Sequence, residues 1–275
     1  MINTIGIIGG GFVGHATARA FMEFAEVRIY DLLPEKSNSC RAAALACDVV
    51  FVCLPTPMLP DGQCDLAYVE TFFAEQADSG TVFVIKSTVP VGTTDRLAEQ
   101  YRLPGLVFSP EFLTARCSVA DAMTPSRSIV GFTRFGPMAP VHAVADMLEQ
   151  RFRQTPAIMP ARDAELVKYG CNSFFAVKVA FFNELKEIAQ NTNCDYEEVL
   201  FGMLADGRIA NSHCNVPGPD GKKGFGGTCL PKDIQALAWT ARESGAVHNV
   251  IEAAWHTNLE LRPTILDELG VLTCP

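Results

Sequence analysis

Residues 3–8, Asn-Thr-Ile-Gly-Ile-Ile, run directly into glycines at positions 9, 11 and 14, and a helix-period stretch follows from Val13 to Phe24. An apolar strand, a G-x-G-x-x-G turn and a helix, in that order, are what a dinucleotide-binding βαβ unit requires. Gly9 makes the tight turn, Gly11 lets a pyrophosphate approach the backbone, and Gly14 lets the helix pack on the strand. The glycine pattern gains weight from a second strand, Val-Arg-Ile-Tyr-Asp, which ends in Asp31 about 20 residues on, where a carboxylate can accept hydrogen bonds from ribose hydroxyls. The same carboxylate would repel a 2′-phosphate, so NAD is expected over NADP.

Further short apolar runs follow at 48–55, 81–87, 106–109 and 128–132, with helical stretches between several of them. This alternation predicts an α/β fold, a doubly wound parallel sheet of the Rossmann type over residues 1–160. Ligands of such sheets bind beyond the carboxyl ends of the strands, where the polar segments Pro-Thr-Pro-Met-Leu-Pro-Asp-Gly-Gln-Cys-Asp-Leu (55–66), Lys-Ser-Thr-Val-Pro-Val-Gly-Thr (86–93) and Ser-Pro-Glu-Phe-Leu (109–113) fall. From Asp163 to about Asn191 the pattern becomes one long helix, and further helices are predicted at 195–206, 231–244 and 246–270. Residues 161–275 thus read as an all-helical domain with a long C-terminal helix. In that last helix Val247, Val250, Ile251, Ala254, Leu261, Ile265 and Leu269 form an apolar stripe with Trp255 beside it, expected to pair with a second copy, and Pro263 should kink it.

The 275 residues are 48% hydrophobic and 19% charged, with a formal net charge of −9. That balance supports real cores and disfavours nucleic acid and anionic membrane as partners, so any anionic ligand must be held by local basic residues. The start has no basic flank or cleavage site and no apolar run reaches spanning length, so the expected location is cytoplasmic. Ten cysteines without C-x-x-C pairs argue against a metal centre and against a disulfide framework.

One cysteine stands apart. Gly-Phe-Gly-Gly-Thr-Cys-Leu-Pro-Lys-Asp (224–233) places Cys229 where a helix is about to begin, with Pro231 suited to its first position. Helix N–H groups and Lys232 would both favour the reactive thiolate, and Asp233 lies within one turn. Lys168 and Asn172, four residues apart, share a face of the long helix. Read singly, each of these is also an ordinary loop thiol or a solvated side chain.

Taken together, Gly-Ile-Ile-Gly-Gly-Gly-Phe-Val-Gly (6–14), the segments 55–66, 86–93 and 109–113, Ala164–Leu185, Asp-Gly-Arg-Ile (206–209) and 224–233 resemble the nucleotide-sugar dehydrogenases, the UDP-glucose and GDP-mannose 6-dehydrogenase family, in the family's order and over nearly the whole chain. The resemblance implies an NAD-dependent, two-step oxidation of a sugar's primary alcohol to a carboxylate, through a thiohemiacetal and a thioester on a cysteine. It makes Cys229 the nucleophile, Asp233 the carboxylate that handles protons and water, and Lys168 with Asn172 the oxyanion-stabilising pair. Glu111 becomes the general base for thioester hydrolysis and Thr88 the hydroxyl that positions water. Gly9, Gly11, Phe12, Val13, Gly14, Asp31, Pro55, Thr56, Thr88 and Lys232 would contact NAD. Phe112, Leu113, Arg208 and Gly226 would contact the substrate, Arg208 across a subunit interface, in a homodimer without a metal.

The chain departs from the family's pattern at Ala115, where a second glutamate is usual, at Ser109 for asparagine, and at Ser126 in Pro-Ser-Arg for Pro-Asp-Arg; Pro-Asp-Gly-Lys-Lys (219–223) reads as an insertion. The family normally continues into a second Rossmann-like domain. This chain stops near the end of the central helix, which implies weak selection among nucleotide bases, with Arg208, Lys222 and Lys223 carrying the diphosphate. Two other functions compete: a single-step dehydrogenase of a small hydroxy acid, which needs no thiol, and a non-catalytic NAD-binding remnant.

Overall fold

The computed structural model describes residues 2–114 and 116–271, so Ala115 lies outside the described residues. The chain forms two compact units: residues up to Pro57 with Asp65–Lys168, and Met58–Cys64 with the residues from Tyr169 on.

The first unit is built from β1 (Thr4–Ile8), α1 (Phe12–Phe21), β2 (Glu26–Tyr30), α2 (Arg41–Leu45), β3 (Val49–Val52), α3 (Ala67–Glu75), β4 (Val82–Ile85), α4 (Thr93–Gln100), β5 (Leu106–Phe108), α5 (Ser118–Met123), β6 (Ile129–Phe132), α6 (Met138–Phe152) and β7 (Ala157–Pro160), and ends in the first turns of α7 (Ala161–Asn191). Its strands form one sheet in the order β2-β1-β3-β4-β5-β6-β7. The order reverses at β1, so the crevice between the ends of β1 and β3 is a topological switch point.

Side chains alternate across this sheet and both faces are covered. Ile8, Val50, Val52, Phe83, Ile85, Leu106 and Phe108 pack with Phe72, Phe73, Leu97 and Ala164 on one face, and Ile5, Ile7, Val49, Phe51, Val84, Val107 and Val130 with Phe21, Val144 and Leu148 on the other. Burial on both faces is why the strands read as continuous apolar runs in sequence. Truncating a ring such as Phe83, which meets Phe72 and Phe73 edge-on at 5.7 Å, would cost about 3–5 kcal/mol.

Two features differ from a wholly parallel reading. β6 is antiparallel to β5 while every other pair is parallel. The connection from Ser109 to Ser128 therefore stays at the carboxyl end of β5, where α5 packs against α1. β7, which no apolar run announced, is an edge strand whose Ala157 and Ile158 are exposed and which ends in Pro160.

The second unit holds the rest of α7, then α8 (Tyr196–Leu204), α9 (Leu230–Ser244), α10 (Asn249–Leu261) and α11 (Ile265–Glu268), together with the small turn Met58–Cys64. Ala176, Ala180, Phe225, Ile234, Ala254, Trp255 and Ile265 form one core here, and Phe182, Tyr196, Leu200, Cys214 and Val216 a second. The expected long C-terminal helix is instead α10 and a single-turn α11, broken around Pro263, whose ring cannot continue a helix. The stripe assigned to a second copy mostly turns inward: Ala254, Trp255 and Ile265 are buried in this unit's own core with Ile251 and Leu269 packed on it, and only Val247 and Val250 stay exposed.

Candidate active site

The cofactor end of the first unit follows from its glycines. Gly9 has φ +97°, and a Cβ there would lie 2.4 Å from the carbonyl oxygen of Cys53; a Cβ on Gly14 would lie 1.8 Å from that of Gly9. Only glycine satisfies such a turn and such a helix-to-strand approach. Gly11, by contrast, caps α1 with nothing within 4 Å of its would-be Cβ, which leaves open room beside the helix N-terminus, where a pyrophosphate binds in such folds. At the end of β2 the Asp31 carboxylate accepts from Gly10 N–H at 2.7 Å and Leu33 N–H at 2.9 Å, so its position is fixed by the same turn. Phe12 is exposed, Val13 is half-buried, and Thr56 is buried with its hydroxyl donating to the Thr88 carbonyl at 2.9 Å beside exposed Pro55. These residues fit NAD.

After β5, Glu111 and Lys168 form a buried ion pair, Nζ to Oε1 2.8 Å, with side chains 9% and 3% exposed. The other carboxylate oxygen of Glu111 accepts from Leu113 N–H at 2.6 Å. Two cations stand near the Phe112 ring, with Arg127 3.9 Å and the Lys168 ammonium 5.7 Å from its centre. Glu111, Phe112, Leu113 and Arg127 border a cleft of about 290 Å³ that also takes in Lys86 and Ser109. Burial pulls the Lys86 ammonium below its usual value, Lys168 adds to this, and Cys53 and Glu111 oppose it. Burial likewise pushes the Cys53 thiol up to about 12, which makes it inert.

In the second unit Cys229 is the N-cap of α9, exposed, with Pro231 one residue inside the helix and Asp233 in its first turn. The Asp233 N–H donates to the Cys229 carbonyl at 2.9 Å. The Asp233 carboxylate is 1% exposed; it accepts from Asn172 Nδ2 at 2.6 Å and is ion-paired with Lys232. Burial opposes the charge on Lys232, yet the Asp233 carboxylate, with Cys64 and Cys229 near, holds its pKa above the ordinary lysine value.

Thus Glu111 and Lys168 meet in one unit, and Asn172, Lys232 and Asp233 in the other, beside Cys229 in sequence. Lys168 and Asn172 stand one turn apart on α7. Arg208 is 89% exposed and closes on Asp206 of its own turn, and Gly226 lies against the guanidinium of Arg262. Lys222 and Lys223, expected to be available to a diphosphate, are paired with Glu268 and Glu187 at 2.9 and 2.7 Å, and Asp220 in the presumed insertion is paired with Arg262.

Sequence reasoning gave no role to Glu165. It is fully buried three residues before Lys168, and caps α4 by accepting from Gly92 N–H at 2.5 Å, Thr94 N–H at 2.8 Å and Thr94 Oγ1 at 2.6 Å. Its place on the helix face of Lys168 was the available signal. Among the described residues no cluster of three or more His, Cys, Asp or Glu could hold a metal, and no helix is long and apolar enough to cross a membrane.

A mostly parallel sheet that places a glycine turn and a strand-end aspartate together at its switch point defines a dinucleotide-binding dehydrogenase fold. Residues 31–145 match the NAD binding domain, and residues 162–260 the central domain, of the UDP-glucose/GDP-mannose dehydrogenase family. UDP-glucose 6-dehydrogenase of Pseudomonas aeruginosa is 30% identical over 312 residues, covering 97% of this chain and 67% of that protein. UDP-glucose 6-dehydrogenase TuaD of Bacillus subtilis is 30% identical over 257 residues, covering 90% of this chain and 54% of that one. Among solved structures, a UDP-glucose dehydrogenase from Pyrobaculum islandicum superposes with a TM-score of 0.80 at 27% identity, covering 94% of this chain and 68% of that one. The chain belongs to the UDP-glucose/GDP-mannose dehydrogenase family, carries its NAD-binding domain, and spans between about half and two thirds of the length of these relatives.

Proposed function

We propose that this chain carries out the NAD-dependent four-electron oxidation of the primary alcohol of a nucleotide sugar of the UDP-glucose class to the uronic acid, with Cys229 as the covalent centre. The observation that carries the reading is the buried Asp233 carboxylate, bonded to both Asn172 and Lys232 in the first turn of the helix that Cys229 caps. Burying charges costs stability unless they are paired and hydrogen-bonded, and a buried, paired charge network in the first turn of a thiol-capped helix is the kind of cluster that marks functional sites.

Gly9, Gly11, Gly14 and Asp31 would hold NAD, which when bound would accept the hydride in both oxidations. The chain's own residues do the rest. Loss of hydride from an alcohol requires that its proton leave and that the oxyanion be stabilised: the Asp233 carboxylate takes the proton through water, and the Lys168 ammonium and the Asn172 amide donate to the oxyanion. The Cys229 thiolate then adds to the aldehyde carbon, and the oxygen takes a proton to give a thiohemiacetal with one C–H left. Its oxidation leaves a thioester, so the aldehyde is never released. Water adds to the thioester carbonyl with Glu111 taking a proton, and the thiolate leaves as the carboxylate forms. For that step Glu111 must part from Lys168, so the 2.8 Å pair is the resting arrangement of the base. Asp233 holds the Asn172 amide with its donor directed, and Thr88 orders the water.

Self-association belongs to the same reading. With the C-terminal stripe turned inward, the surface that supports it is on α7, where Phe174, Phe181 and Ile188 recur every seven residues and remain 63%, 49% and 58% exposed. A monomer by sedimentation at micromolar concentration would remove this part.

The test of the function is NADH yield per sugar with a panel of nucleotide sugars. Two NADH per molecule supports the reading, one supports a single-step dehydrogenase, and none supports a cofactor-binding role without catalysis.

A further inference from the structure

Three successive residues ahead of Cys229 are pinned by side chains that no step above uses. Gly224 N–H donates to Asn183 Oδ1 at 3.1 Å. Phe225 N–H donates to Asn258 Oδ1 at 2.7 Å, and its carbonyl accepts from Asn258 Nδ2 at 3.1 Å. Gly226 lies under the Arg262 guanidinium, which a Cβ would approach to 2.3–2.5 Å. A peptide offers one donor and one acceptor, and the Asn258 carboxamide matches both, so only one orientation of that amide satisfies the pair.

The clamp is itself held firmly. Asn258 is fully buried on α10. Arg262, 6% exposed, donates to Asp220 at 2.6 Å and to Glu268 at 3.0 and 3.1 Å, and Glu268 is further held by Lys222 and Thr264. Gly224 is left-handed, φ +69°, and its would-be Cβ lies 2.4 Å from Asn258 Oδ1, so no other residue fits there. Behind Cys229 the chain is fixed by α9. Ahead of it, Gly227 and Thr228, both exposed, are all that separates it from the clamp.

We infer that Asn258 and Arg262 are positioning residues for the Cys229 thiol: α10 and its C-terminal end hold the Gly224–Gly226 loop so that the sulfur stays at the head of α9. The inference rests on the proposed role of Cys229. Without the clamp the segment is anchored at one end only, and small misplacements of a reacting group can cost about 10²-fold in rate.

The test uses the full chain and four variants: Asn258→Asp, which keeps the acceptor but loses the donor; Arg262→Lys; Gly226→Ala, which displaces the guanidinium without altering α10; and Thr257→Ala as control, since the Thr257 hydroxyl bonds the surface Glu184 at 2.9 Å. Two readouts are taken on each: residue-resolved alkylation of Cys229 by iodoacetamide across pH without substrate, and kcat with KM for UDP-glucose and NAD. The clamp variants should slow Cys229 alkylation at neutral pH, shift its pH midpoint, and lower kcat by about 10²-fold with KM for NAD nearly unchanged, whereas Thr257→Ala should change none of these. If Asn258→Asp fails to fold, Gly226→Ala and Arg262→Lys decide. Folded clamp variants with the wild-type alkylation profile and wild-type kcat overturn the inference. Alkylation needs no turnover, so a failure of the proposed role, seen as full oxidation by Cys229→Ala, is read separately.

Discussion

The Asn172 amide donates to a carboxylate oxygen of Asp233 at 2.6 Å, and the other oxygen of that carboxylate takes the Lys232 ammonium. All of it is buried or nearly so, with Asp233 at 1% exposure, so each member depends on the others for its missing solvation. Asp233→Asn should leave Lys232 buried without its countercharge and lower stability by about 3–5 kcal/mol, while Asn172→Ala, which removes one neutral donor, should cost about 1–3 kcal/mol. Urea denaturation of the two variants checks the order, and equal losses would show that the network is not anchored on the carboxylate.

The Glu111–Lys168 pair is buried on both sides. Glu111→Gln should destabilise the first unit by several kcal/mol by stranding Lys168, and adding Lys168→Met should recover part of that loss, a coupling of about 1–3 kcal/mol. A double-mutant cycle measures it. Strict additivity would mean that the ammonium finds other partners.

Much of this fold is legible in the chain, for physical reasons that can be named. The strands announce themselves because both faces of the sheet are buried, and the turn at Gly9 because only glycine survives 2.4 Å from a carbonyl. Asp31 is found by its distance from that turn. What stays hidden is settled by non-local packing: the reversal of β6, the half-exposed edge strand β7, and the inward turn of Trp255 and Ile265. The site shows the same division. Spacing alone leaves Cys229, Asp233, Lys168 and Asn172 as ordinary residues, and it is the family resemblance that singles them out. The partnership of Glu111 with Lys168 is between residues 57 positions apart, and that of Asn172 with Asp233 between residues 61 apart. Only the folded chain reveals such pairs. Asn258 and Arg262 take partners 33 and 42 positions away, Phe225 and Asp220, which no local spacing marks.

Glu165 gives the first unit a signature in pH. Burial pushes its carboxyl up to about 7, although donors from Thr94 and Gly92 oppose the shift. A folded pKa raised above the ordinary carboxylate value of 4.5 stabilises the fold fully below that value, and the contribution disappears as pH rises through about 7. The native chain should therefore lose on the order of 3 kcal/mol from this group between mildly acidic and neutral pH. Glu165→Gln should show a flatter profile over that window. Parallel profiles for the two proteins would place the ionisation elsewhere.

Asp31 should govern the choice of cofactor. Its carboxylate, fixed by two N–H groups, stands where a 2′-phosphate would add like charge, so kcat/KM for NAD should exceed that for NADP by a few kcal/mol, roughly 10²-fold or more. Asp31→Ser should narrow the ratio mainly by improving NADP. Equal constants in the native enzyme would contradict the assignment.

The covalent role of Cys229 is the centre of the account, and the stoichiometry of NADH against UDP-glucose consumed tests it most directly, with Cys229→Ala run beside the native chain. The account predicts two NADH and one uronic acid per sugar for the native protein, and no uronic acid from the variant, while Cys171→Ala and Cys214→Ala stay at two. A native yield of one NADH, or full uronic acid from Cys229→Ala, would contradict it.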